Sequence, residues 1–275
     1  MKNKNRISLL GCGWLGFPLA LDLILLGFKV KGSTTSPEKV TLLKASGIDP
    51  FLVQFDHSLP EPSLTQLLDT DILIVSIPPG RKSVEGPENY RKMGETLIRQ
   101  IPKSSVTKII FISSTTVYSD SNKAVSESSE ISPETTSGKV IAEIEKSLLA
   151  LPIQVLVLRL SGLFGPGRSP ARFFAGKINI PNGLAPVNMI HLDEVKSLII
   201  TLIDSESANG VYIGCTPSHP TKEEFYSLAA RLAKQPEPRF IKEKLSWKIV
   251  NSERVEKELG FSFKIPNLLE RLIQS

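Results

Sequence analysis

The stretch Ile7-Ser8-Leu9-Leu10-Gly11-Cys12-Gly13-Trp14-Leu15-Gly16 decides the fold. Four β-favouring residues run into Gly11-x-Gly13-x-x-Gly16, and an apolar, helix-like run continues to Leu26. A glycine triplet in that strand, turn and helix order predicts dinucleotide binding. Gly11 permits the tight turn, Gly13 lets the backbone approach a pyrophosphate, and Gly16 lets the helix pack close to the strand. The helix N-terminus, opened by Trp14 and Leu15, faces the anion with its free N–H groups.

Outward from this turn the chain alternates strand and helix patterns. The first helix, Trp14 to Leu26, is apolar nearly all round, with Leu15, Leu19, Leu23 and Leu26 on one stripe, and reads as sandwiched. Gly27 is placed to end it in a left-handed turn. Phe28 to Gly32 reads as a second strand, and Ser36-Pro37-Glu38 opens a second helix, with Ser36 as N-cap. Further strands are expected at Phe51–Phe55, Asp71–Ile77, Lys108–Ser113 and Ile153–Leu160, and helices at Leu64–Leu68 and Glu88–Gln100. The strand runs are continuously apolar, as parallel strands covered on both faces must be. Such βαβ units predict an α/β fold: a Rossmann, doubly wound parallel sheet with helices on both faces. Ligands then bind beyond the carboxyl ends of the strands, at Gly11, Ser33, Ser76-Ile77-Pro78-Pro79-Gly80, Ser113-Ser114-Thr115 and Ser161-Gly162.

From Ser161 the rhythm breaks, with Gly162, Gly165, Pro166, Gly167 and Pro170 close together and Asn179–Asn188 rich in Pro, Gly and Asn. A helix Asp193–Ile203, a strand Gly210–Gly214 and a helix after Thr221 follow. Residues 1–160 therefore read as the dinucleotide-binding domain. Residues 161–275 read as a smaller C-terminal substrate lobe, with segments returning to the sheet. The segment Ser119–Gly138, rich in Ser and Glu, reads as a solvated connector, with a specific recognition loop as the alternative.

At 275 residues with 41% hydrophobic and 22% charged residues, the chain has the composition of an ordinary globular protein. Its net charge of +5 comes from Lys and Arg spread along the sequence, which gives little support to nucleic-acid binding and suits a phosphate-bearing cofactor. Cys12 and Cys215 form no disulfide framework or metal-ligand spacing, and His57, His191 and His219 stand apart. A reduced cytoplasm is the plain expectation. Met1 to Arg6 followed by apolar residues imitates a secretory signal, and Leu9-Leu10-Gly11-Cys12 a lipoprotein box. The apolar stretch before Cys12 is only about five residues, short of the ~7–15 that a signal core needs. No segment is apolar enough to span a membrane. A small-molecule substrate is expected, with no nucleic-acid or membrane partner; a homodimer is compatible with the sequence.

An NAD-preferring site carries Asp or Glu at the end of the second strand, ~20 residues past the first glycine. Here that place reads Lys31-Gly32-Ser33-Thr34-Thr35-Ser36. Without a carboxylate to repel a 2′-phosphate, and with Ser33, Thr34, Thr35 and nearby Lys39 to receive it, NADP is favoured over NAD. Ser76 and Pro78, at the end of the fourth strand, complete the expected cofactor wall.

Three further stretches resemble the extended branch of the short-chain dehydrogenase/reductase superfamily, the NAD(P)-dependent epimerase/dehydratase group. They are Ile112-Ser113-Ser114-Thr115-Thr116-Val117-Tyr118, the run Arg159–Arg168 through Gly162-Leu163-Phe164-Gly165, and Val187–Val195. The resemblance implies Ser114 and Lys139 as catalytic residues, with Lys139 also on the cofactor ribose. It implies Thr116 and Arg168 as substrate contacts, Arg168 for a phosphate or carboxylate. In the family a tyrosine stands four residues before the lysine, its phenol made acidic by the ammonium. That position is Thr135, whose hydroxyl does not ionise near pH 7. Tyr118 is the nearest tyrosine and the candidate for recruitment to that role. The extended enzymes usually carry Gly-x-x-Gly-x-x-Gly, so the Gly-x-Gly-x-x-Gly here, with the missing tyrosine, resembles the superfamily's atypical NADP-binding subgroup. His191 is read as a packed histidine. The expected function is NADP-linked reductase or epimerase/dehydratase chemistry on a small or nucleotide-linked substrate. A catalytically silent NADP-binding, redox-reporting module and a sugar-nucleotide epimerase with a relocated acid/base are the alternatives.

Overall fold

Residues 5–55, 62–79 and 85–274 are described by the computed structural model; His57 and Gly80 lie outside them. Strand β1 (Arg6–Leu10) leads through the glycine turn into helix α1 (Gly16–Leu25), followed by β2 (Lys29–Thr34), α2 (Pro37–Ala45), β3 (Asp49–Leu52) and α3 (Pro62–Leu67). Then come β4 (Ile72–Val75), α4 (Gly86–Gln100), β5 (Lys108–Ser114), β6 (Lys123–Val125), α5 (Thr136–Leu149), β7 (Gln154–Leu160) and β8 (Gly162–Phe164). The chain continues through β9 (Met189–His191), α6 (Leu192–Asp204), β10 (Gly210–Gly214), α7 (Lys222–Leu232), β11 (Lys248–Val250), α8 (Glu253–Leu259) and α9 (Leu268–Ile273).

Seven strands form one sheet in the order β10-β7-β5-β4-β1-β2-β3, and β2, β4 and their outer neighbours β3 and β5 are paired in parallel. This is the doubly wound α/β Rossmann arrangement, and its order reverses between β1 and β4. The continuous apolar strands are buried as expected: every residue of β4 is covered, as are Ile109, Ile110 and Phe111 of β5. Helix α1 departs from the sandwiched reading. Leu15, Leu19 and Leu23 are buried, but Leu25 is 85% and Leu26 57% exposed, so the helix covers the sheet with one face and shows solvent its last turn. Gly27 ends it at φ +87°, in the left-handed region.

The chain divides into two compact units that interleave in sequence. The first comprises residues 1–113, 133–158 and 202–211, and the second residues 114–132, 159–201 and 212–275. Inside the second, Phe164, Met189, Phe225, Leu268 and Leu272 make a core of their own. There β8 pairs with β9 and β6 with β11, both in parallel. The connector Ser119–Gly138 is therefore more ordered than its composition suggested. It contains β6, and the Glu127 carboxylate accepts a hydrogen bond from the Ile213 N–H at 3.0 Å, with burial raising its affinity for a proton. Helix α7 opens on a complete capping box, Thr221 with Glu224. Among the described residues, no helix is long and apolar enough to cross a membrane.

Candidate functional site

The glycine turn is stitched to the end of β2. The Gly11 N–H donates to Ser33 Oγ at 2.8 Å, and the Cys12 N–H to the Ser33 carbonyl at 2.8 Å. Gly11 has φ +106°, which other residues rarely adopt, and a Cβ there would lie 3.0–3.1 Å from Ile77 and Ser76. Ser76 closes the other side, its N–H donating to the Leu10 carbonyl at 2.9 Å. Gly16 has no room at all, since an added Cβ would fall 2.1 Å from the Gly11 carbonyl oxygen. Gly13 is the opposite: nothing lies within 4 Å of its Cβ position. Helix α1 then starts at Gly16 behind Leu15, with no side chain capping it.

These residues fit a dinucleotide pyrophosphate. The backbone is held from both sides, the space in front of Gly13 is open, and no side chain caps the start of α1, whose Phe17 N–H already donates to the Gly13 carbonyl at 3.0 Å. Trp14 is half-buried beside them and Pro78 is exposed past the end of β4.

Sequence reasoning missed two members of this turn. Gly32 is required because a Cβ there would meet Cys12 Sγ at 2.5 Å and Ile48 Cγ2 at 2.7 Å. Cys12 fills the space below it, and burial pushes its thiol up to about 12, against a smaller lowering by the hydrogen bond at Ser33. The signal was a glycine inside a strand, which marks close approach.

The hydroxyls at the end of β2 are not equivalent. Ser33 and Thr34 are buried, Ser33 accepting from Gly11 and Thr34 Oγ1 accepting the Ser36 N–H at 3.1 Å. Thr35 is exposed, as is Lys39. Ser36 holds the N-cap position of α2, yet its side chain makes no capping bond and instead donates to Glu38 Oε2 at 3.3 Å. Carboxylate and ammonium thus both stand on the first turn of α2.

Helix α5 begins one residue after Thr135, which is its N-cap: Thr135 Oγ1 accepts the Gly138 N–H at 3.0 Å. Lys139 follows in the first turn, exposed, with no side-chain hydrogen bond or ion pair among the described residues. Glu143, four residues on, is engaged by Arg91. Further along α5, buried Glu145 accepts a short hydrogen bond from Ser113 Oγ.

Ser114, Thr116, Tyr118 and Arg168 belong to the second unit. Ser114 Oγ accepts the Thr116 N–H at 3.2 Å and the Thr116 hydroxyl at 3.1 Å, so these two expected contacts are brought together. Tyr118 is 2% exposed; Arg159 stacks over its ring at 5.1 Å and donates to its hydroxyl. Arg159 is itself buried, a charge concealed within an apolar strand pattern. Arg168 is exposed and closes a tight turn with Gly165. His191 is a packed residue: the edge of its ring meets Phe164, Arg271 donates to it, and burial first, then Arg271, lowers its pKa to about 4.

No family model matches the chain. Protein YeeZ of Escherichia coli K12 is 38% identical over 270 residues, covering 96% of this chain and 98% of that protein. A conserved protein of unknown function from Silicibacter pomeroyi superposes with a TM-score of 0.77 at 22% identity, covering 98% of each chain. The UDP-glucuronic acid 4-epimerase of Bacillus cereus, solved with NAD, superposes with a TM-score of 0.80 at 16% identity, covering 97% of this chain and 94% of that one. At these identities the two structures show the fold alone, an α/β Rossmann-like one.

Proposed function

The chain belongs to the family of Protein YeeZ, and from that premise we propose that it is a dinucleotide-binding protein of the atypical short-chain dehydrogenase/reductase kind, with NADP favoured. The observation that carries this reading is the pairing of an open Gly13 with an uncapped α1, on a turn pinned by Ser33 and Ser76. Gly11, Gly13, Trp14, Leu15 and Gly16 hold the pyrophosphate. Ser33 and Thr34 shape the turn from beneath, while Thr35 and Lys39 meet the adenosine 2′-phosphate; Pro78 and Lys139 complete the cofactor contacts. The bound cofactor supplies a carbon that accepts or gives a hydride. The absence of a carboxylate at Ser33–Thr35 supports NADP, and Glu38 on α2 opposes it. Two buried free cysteines fit a reduced compartment such as the cytoplasm.

For turnover, the second unit is assigned to the substrate, a small or nucleotide-linked molecule, with Ser114 and Thr116 steadying a substrate oxygen and Arg168 receiving an anionic group. Tyr118 is read as structural, because its phenol is already engaged by Arg159. A second reading, a binder without turnover, is favoured by one observation: the family's phenol position is a helix cap here.

Titration of the purified protein with NADP and NAD, followed by intrinsic fluorescence, tests the cofactor reading. NADP should bind at least about tenfold more tightly, a difference of ~1.4 kcal/mol. Equal affinities sink the preference, and no binding of either sinks the function. A panel of carbonyl and nucleotide-sugar substrates with NADPH separates the enzyme from the silent binder.

A further inference from the structure

Two segments of the second unit are rich in Lys and Arg. Residues 172–184 and 234–248 carry seven Lys and Arg against two Glu. The two segments lie about sixty residues apart in sequence, yet they run side by side in the second unit. The Arg239 N–H donates to the Lys177 carbonyl at 2.9 Å, Ile180 N–H to Arg239 at 3.1 Å, Ile241 N–H to Ile180 at 2.8 Å and Gly183 N–H to Ile241 at 3.0 Å. At Gly183 they approach so closely that an added Cβ would sit 2.6 Å from Phe240 Cβ. Asn182 Oδ1 seats the following turn by accepting the Leu245 N–H at 2.7 Å.

This ribbon shows apolar side chains to solvent beside its charges. Phe173 is 46% exposed, Ile178 64%, Leu184 41%, Ile241 45% and Leu245 66%. Arg172, Lys177, Arg239, Lys242 and Lys244 are exposed among them. Neither acid offsets the cations fully: Glu237 is drawn to Arg231, outside the ribbon, and Glu243 accepts the Asn182 N–H. Lys248 is paired with Asp120.

We infer that this ribbon docks the protein on an anionic lipid surface, with Ile178, Ile241 and Leu245 entering the headgroup boundary and the neighbouring cations meeting lipid phosphates. Exposed aliphatics interleaved with Lys and Arg are the composition of interfacial membrane contacts. A single-stranded nucleic acid, which shares the phosphate, calls instead for aromatic faces on which bases stack. The aliphatic residues provide none, Phe173 is turned edge to face with Tyr226, and the ring of Trp247 has Lys244 over it at 3.9 Å. The contact is peripheral, since it needs no spanning helix.

Co-sedimentation of the full chain tests the inference. Vesicles of phosphatidylcholine with about one-third phosphatidylglycerol should pellet roughly tenfold more protein than phosphatidylcholine alone at ~0.1 M salt, and the excess should vanish near ~0.5 M. Lys242→Glu with Lys244→Glu, and separately Ile178→Ser with Ile241→Ser, should each cut pelleting at least about fivefold. All four side chains are on the surface, and unchanged circular dichroism and NADP titration check that each variant is folded. Equal pelleting by the two vesicle types, wild-type pelleting by the charge-reversed variant, or displacement from the vesicles by a single-stranded oligonucleotide would each overturn it.

Discussion

Two helices of the first unit begin in opposite ways. Helix α1 starts behind Leu15 with no side chain on its first N–H groups and open space in front of Gly13. Helix α5 starts behind Thr135, whose hydroxyl takes the Gly138 N–H. One start has no side-chain cap, while the other has one. Both stretches resemble cofactor-site sequence of one family. On the proposed reading the first start serves to hold an anion, whereas Thr135 serves helix stability.

The contrast breaks most sharply at Gly16. Gly16→Ala places a Cβ 2.1 Å from the Gly11 carbonyl oxygen, so the backbone must move. Urea denaturation should show a loss of about 3 kcal/mol, and NADP binding should disappear from the fluorescence titration. An unperturbed Gly16→Ala protein would mean that the strand and helix are not pinned there. Gly13→Ala sharpens the comparison, because nothing lies within 4 Å of the new atom. Stability should stay within about 0.5 kcal/mol, while the Kd for NADP rises at least about tenfold, or ~1.4 kcal/mol. Undiminished affinity would remove the cradle.

At the other helix the expected signs reverse. Thr135→Ala should cost about 1 kcal/mol of stability through the lost cap and leave NADP affinity unchanged. Thr135→Tyr should carry a similar penalty with no gain of turnover; turnover in that variant would favour the silent-binder reading of the natural chain. The smallest effect is chemical. Burial holds the Cys12 and Cys215 thiols up to about 12, so at pH 8 the reactive thiolate is scarce in the folded protein. A disulfide reagent should label neither until denaturant is added, and prompt native labelling would show the glycine turn opening.

Much of the first unit was legible because its signals are local. The run Ile7–Gly16, the apolar strands and the Gly27 stop each lie within a few residues, and each predicted what the structure holds. Helix α1 was read as fully covered because its composition is apolar all round, but composition does not say which face meets the sheet, and Leu25 and Leu26 are in solvent. Lys108, Glu145 and Arg159 escaped notice for a different reason. Each sits in a pattern that reads as core, and only the partner reveals why a charge is tolerated, as with the Lys108 ammonium donating to the Ile203 and Ser205 carbonyls at 2.8 Å. The basic ribbon was invisible because its two halves are far apart in sequence. Ser33 and Thr34 were legible by position but not by direction, since their hydroxyls serve the turn itself.

The Thr135 cap also bears on how such a protein changes over generations. A single substitution to tyrosine at this position removes the hydroxyl that accepts the Gly138 N–H, at a cost of about 1 kcal/mol. A neighbouring residue that took over the Gly138 N–H would offset that cost.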